Sequence, residues 1–248
     1  MLAKRAFLGL LLISWVPFLV RAVQIYFSMN LPQAAFLAPT PEMFRQFFEG
    51  IQEVFVFFIT VYAGAGLIAN DRRANALQIY LSKPLTRAEY VVGKLTILMT
   101  FLLFITWVPA IALLIVQIAF AGNFTFFTSN LYLFPAITVF SLVQALTVGS
   151  AMLALSSLSN SSRYVGILYA ALLFFSQALF GVLRFVTGNT SLSWISVRFD
   201  LNQVGDVIFR LPPRYDTPWA LSLAALVVLV AISALVLERR VRGVEVVA

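Results

Sequence analysis

Six apolar runs, each about as long as a membrane is thick, decide what this chain can become. They lie near residues 6–26, 51–69, 91–118, 132–156, 164–183 and 218–237. Roughly 20 apolar residues in a helix cross the hydrocarbon core of a bilayer. A helix satisfies its own backbone hydrogen bonds in lipid, whereas an open strand does not. The expected fold is an all-α polytopic membrane protein, one bundle of six transmembrane helices spanning residues 1–248. Composition agrees: 61% of the residues are hydrophobic, 11% are charged and the mean hydropathy is +0.95. A soluble domain of this size could not hide so much apolar surface. Pro17, Pro109 and Pro135 lie within runs and are expected to bend or loosen their helices. Pro218 suits a first helical turn. Lys4 and Arg5 ahead of an apolar run resemble a signal peptide. That run is long enough to span, so a retained first helix is expected.

Charge sets the expected orientation. An even number of spans puts both termini on one side, and 11 of the 17 Lys and Arg residues fall there. They are Lys4, Arg5, five residues between Arg72 and Lys94, Arg163, Arg239, Arg240 and Arg242. The more basic side is cytoplasmic by the positive-inside rule, so both termini are expected to be cytoplasmic. The same rule accounts for the net charge of +7 without nucleic acid as a partner.

The longer outer connections carry helical patterns. Met43, Phe44, Phe47 and Phe48, and again Leu201, Val204, Ile208 and Phe209, recur at helical spacing. Each set fits a short helix at the interface or packed on the bundle, or simply loop packed on helix ends. Pro212-Pro213 would end the second set.

Several chemistries are excluded. The chain contains no cysteine and no histidine, which removes disulfides, thiolates and the commonest metal ligand and general base. No metal site is expected. No phosphate-binding loop of the Gly-x-x-x-x-Gly-Lys-Ser/Thr kind occurs, so this chain is not expected to be an enzyme hydrolysing ATP.

The charged stretch 70–94 interrupts the apolar pattern between the second and third runs. Ala74, Leu77 and Leu81 share one helical face, with Arg73, Asn75 and Gln78 elsewhere. Pro84 stops that helix and biases Lys83 to extended backbone. Thr86 and Glu89 then match a capping box, starting a helix that runs through Gly93 and Lys94 into the third span. Lys94 is placed to snorkel to headgroups. A basic interfacial helix on anionic lipid and a docking element for a cytosolic partner both fit this pattern.

The run Leu81-Ser82-Lys83-Pro84-Leu85-Thr86-Arg87, the Gly93-Lys94 pair and the ending from Leu237 to Val246 resemble the ABC-2-type transporter permeases. Among these, the chain is most similar to the group named for copper-enzyme maturation, a label that says little about substrate. The resemblance implies a multi-pass permease subunit in a bacterial or archaeal plasma membrane, working as an exporter of an unidentified substrate. It implies two permease copies, identical or not, and a cytosolic ABC ATPase subunit that binds ATP and Mg. A cytosolic coupling helix after the second span would dock on that ATPase through Leu77, Gln78, Leu81, Ser82, Lys83, Pro84 and Arg87. The amphipathic helix that many such exporters carry before the first span would be missing or very short. A membrane scaffold that recruits a cytosolic partner shares the docking feature. An intramembrane lipid-modifying enzyme would need convergent catalytic groups, which the spans hardly offer.

A few polar groups lie in or near the spans. Glu49 and Glu53 are one turn apart at the start of the second, and Arg21 is placed to pair with Glu53. These three could form an outer gate or a helix-locking ion pair. Gln144 and Gln177 could bond between helices or line a pathway.

Overall fold

The computed structural model describes residues 5–74 and 86–241. Among them no strand occurs, and six helical stretches are long and apolar enough to cross a membrane: Arg5–Asn30, Pro41–Arg73, Arg87–Ala121, Leu133–Leu158, Ser162–Thr187 and Trp219–Arg240. These are the six runs read from the sequence, most of them extended at their ends by more polar turns. The protein is an integral, multi-pass membrane protein.

Prolines punctuate the stretches as expected at two positions and not at a third. The first stretch breaks after α1 (Arg5–Ile13) and restarts as α2 (Val16–Asn30), with Pro17 in its first turn. The third breaks at Thr106, between α6 (Arg87–Ile105) and α7 (Trp107–Ala121), and the short α8 (Thr125–Ser129) follows it. Pro109 has no N–H for the carbonyl of Ile105, four residues back. The buried side-chain amide of Gln52 donates to that carbonyl instead. Pro135 was expected to disturb the fourth span. It lies in the first turn of α9 (Leu133–Leu158), where a missing N–H has no intrahelical partner to lose.

Two compact units emerge from the described chain. One comprises Met1–Ile59, Phe101–Val143 and Gly205–Pro212. Its core is aromatic: Phe44, Phe47, Phe48, Phe140 and Phe209 are all buried, with Ile25, Leu113 and Ile137 among them. Phe48 meets Phe140 edge-on at 5.0 Å. The short helix expected in the first outer connection is α3 (Pro41–Phe47), capped by Thr40, whose side chain accepts from the Met43 N–H at 3.3 Å. Pro41 in its first turn presets the backbone. Met43, Phe44 and Phe47 face the core, so the helix is packed down on the protein.

The other unit comprises Thr60–Thr100, Gln144–Val204 and Pro213–Ala248. Small residues let its helices approach closely. A Cβ at Gly149 would sit 3.3 Å from Leu95, and one at Gly166 would sit 3.1 Å from Val61. Residues Thr60–Gly64 form a π-turn, a wider loop of helix that is common at functional positions. Just beyond it, the buried Ser156 hydroxyl ties the chain down. It donates to the Ala65 carbonyl at 2.9 Å and accepts from the N–H groups of Ile68 and Ala69, each at 3.1 Å. Those N–H groups open α5 (Ala69–Arg73) and have no partner within it.

The second helix expected in an outer connection is α11 (Val197–Ile208), with Leu201 and Val204 buried. Its end is a Schellman turn: the Leu211 N–H bonds the Asp206 carbonyl at 2.8 Å and the Arg210 N–H bonds that of Val207 at 3.0 Å. Arg210 takes the left-handed position (φ 57°) that glycine usually fills, and its guanidinium stacks on Tyr132 at 4.4 Å.

Candidate functional site

The segment singled out in the sequence is flanked by two fixed feet. α5 ends at Arg73 and α6 begins at Arg87. Thr86 and Glu89 form the expected capping box. The Glu89 carboxylate accepts from the Thr86 N–H at 2.7 Å, and the Thr86 hydroxyl accepts from the Glu89 N–H at 3.2 Å. Two of the helix's orphan donors at this end are thereby satisfied. Asp71 then joins the feet. Its carboxylate accepts from the Tyr90 hydroxyl at 2.7 Å and pairs with the Lys94 ammonium at 2.7 Å. The ammonium also lies 5.3 Å from the Tyr90 ring. Lys94, expected to snorkel to headgroups, is held by this carboxylate, with only 19% of its side chain exposed. Arg72 adds a second anchor by donating to the Ser157 carbonyl at the end of α9. Hydrogen bonds to charged groups contribute about 1.5–3 kcal/mol each. Arg87 stands exposed at the opening of α6. Leu77, Gln78, Leu81, Ser82, Lys83 and Pro84 lie outside the described residues.

A second polar cluster belongs to the aromatic unit. Arg45 is fully buried. Its Nη1 lies 3.0 Å from Glu49, one turn on, and its Nε lies 3.3 Å from Asp206 on α11. The guanidinium also covers the Phe140 ring at 4.7 Å. Gly205 makes the approach possible. A Cβ there would fall 2.5 Å from Arg45 Nε and 2.7 Å from the Phe140 ring. Asp206 is buried as completely as Arg45, and the guanidinium offsets the cost of burying its charge while also pairing with Glu49. In the sequence Arg45 belonged to no candidate site. Its spacing to Glu49 was visible there, but its burial and its link to Asp206 were not.

Arg21 donates to the amide oxygens of Gln24 at 3.0 Å and Gln46 at 3.5 Å. Glu53 is half-buried in the first turn of α4 (Ile51–Ile59). Gln144 is buried on α9, with its amide oxygen lacking a hydrogen-bond donor among the described residues. Gln177 is half-buried on α10 (Ser162–Thr187).

Titration effects concentrate in the connection that carries α11. Asp216 is held below the usual carboxylate range by hydrogen bonds from the hydroxyl and then the N–H of Thr190. Asp200 is buried and its pKa is pushed up to about 8 by desolvation, against a weaker opposing hydrogen bond from Ser222. Its unfolded value is near 3.9, so the folded state binds the proton more tightly. The resulting stabilisation is full below about pH 4 and is lost as pH rises through about 8. The thermal midpoint in detergent should therefore fall between pH 6 and pH 9. Asp200→Asn should flatten that slope, and an unchanged slope would remove Asp200 as its source.

The model of the ABC-2 family transporter proteins matches residues 6–214 of this chain. No curated protein matches it. With six helical stretches among the described residues long and apolar enough to cross a membrane and a family match over most of its length, the chain belongs to the ABC-2 family of transporter proteins and is a permease component of the ABC transporter type.

Proposed function

We propose that this protein is the membrane-spanning subunit of an ABC exporter, driven by ATP hydrolysis in a separate cytosolic subunit. The family match over residues 6–214 carries this reading. The resemblance of the Leu81–Arg87 stretch and the feet joined by Asp71, Tyr90 and Lys94 support it. In this reading both termini and the 70–94 segment are cytoplasmic. The helix carrying Leu77 and Leu81 seats on the ATPase, which binds ATP and Mg. Two permease copies enclose the pathway. Displacement of the docked helix reaches α5 and α6 together, because Asp71 ties one to the other. Transport then follows from contacts that differ between inward-open and outward-open states. The sequence likeness to the copper-enzyme-maturation group does not define the cargo.

The absence of cysteine allows a direct test. Single cysteines at 77, 78, 81, 82, 83 and 87 should crosslink to a co-expressed ATPase subunit. The permease in nanodiscs should also change that subunit's turnover. Crosslinks without any change in turnover would favour a scaffold. No crosslink at any of these positions would overturn the docking reading.

A further inference from the structure

A cleft beside Arg21 has the chemistry of a lipid seat. It has a volume of about 430 Å³ and lies among α2, α3 and the start of α4, within the usual ligand-pocket range of about 300–1,000 Å³. One wall is apolar and opens sideways: Val16, Val20 and Ile51 are 43%, 51% and 64% exposed. In a chain that crosses the membrane, such a wall faces acyl chains. The other wall is polar. Arg21 lines it, and the bonds this guanidinium makes go to neutral amides, those of Gln24 and Gln46. A guanidinium carries five N–H donors, so donors remain for a ligand. Gln52 also lines the cleft and is fully buried. Its amide nitrogen is committed to the Ile105 carbonyl, and its oxygen has no donor among the described residues. Glu49 contributes a carboxylate to the same wall, already paired with Arg45.

We propose that this cleft binds one glycerophospholipid, with its phosphate on Arg21 and its acyl chain along Val16, Val20 and Ile51. The fit is specific in two respects. A phosphate answers a guanidinium whose bonds here are to uncharged groups. The open apolar wall lets the chain remain in the bilayer, so only the headgroup leaves its usual surroundings. Arg21 is long enough to hold its charge at headgroup level from a helix side facing lipid. The inference does not require ATPase docking, and the two can fail separately.

The test is native mass spectrometry of the full chain, delipidated in detergent and titrated with dioleoyl-phosphatidylglycerol or dioleoyl-phosphatidylethanolamine. One phospholipid per chain should bind well above the nonspecific background. Arg21→Gln should weaken it about tenfold or more, and Arg21→Lys should restore part of the loss. Val20→Trp, which keeps the charge and blocks the apolar wall, should weaken it comparably. Dioleoylglycerol, without phosphate, should bind at background level. Inorganic phosphate should not displace the lipid. Equal retention by the wild type and both Arg21→Gln and Val20→Trp would overturn the proposal. So would displacement by inorganic phosphate, which would mark a simple anion site.

Discussion

Replacing Arg45 with alanine should destabilise the protein by about 3–5 kcal/mol, the typical cost of removing one partner from a buried ion pair. Arg45 and Asp206 are both fully buried, 3.3 Å apart, and the guanidinium rests on Phe140. Truncation takes the guanidinium away from the fully buried Asp206 carboxylate and opens a void beside an aromatic core. Unfolding in mixed micelles would measure the loss. Removing both charges is a different experiment. Arg45→Met with Asp206→Leu removes the fully buried carboxylate and refills the space, so that only Glu49, 23% exposed, loses its pairing with Arg45. Such double replacements are often neutral, or stabilising by about 1–4 kcal/mol. The double variant should therefore be more stable than Arg45→Ala. If it is as unstable as the single variant, the cost lies in packing and the ion pair is not its source. The geometry adds a constraint at position 205, where any side chain would collide with Arg45 Nε.

The second large effect concerns Gln52 and Pro109. Gln52→Leu should cost about 1–3 kcal/mol, because it strands the Ile105 carbonyl inside the protein. Pro109→Ala supplies an N–H to that same carbonyl. In the Pro109→Ala background, Gln52→Leu should cost much less. A double-mutant cycle read by unfolding would give the coupling directly. Strictly additive losses would mean that the carbonyl finds another donor, and that Gln52 contributes only through its packing.

Much of this architecture was legible in the sequence because it rests on local patterns. The six spans follow from run length. α3 and α11 follow from helical spacing, and the start of α6 follows from the Thr86–Glu89 box. The misreading at Pro135 was not one of boundary, since the run was expected to begin near 132: a proline in the first turn of a helix beginning at Leu133 is harmless. What escaped was long-range. Asp71 and Lys94 lie 23 positions apart with the Leu81–Arg87 stretch between them, and no periodicity relates them. Lys94 alone reads as a lipid-facing cation. Asp206 meets Arg45 across more than 150 residues of chain, so only the folded unit shows that α11 carries a countercharge for α3. The Gln52 interaction is intermediate. The carbonyl orphaned by Pro109 was inferable, but the identity of its donor was not.

Ser156 has a consequence for how freely this sequence can drift. A hydroxyl has one hydrogen to give and two lone pairs to receive, and at this position all three are used, by Ala65, Ile68 and Ala69. Alanine and cysteine fail on bonding, and any larger side chain fails on room, since the site is fully enclosed. Homologous chains that keep the turn at 65–69 should show an alphabet of nearly one letter at this position, whatever cargo they carry.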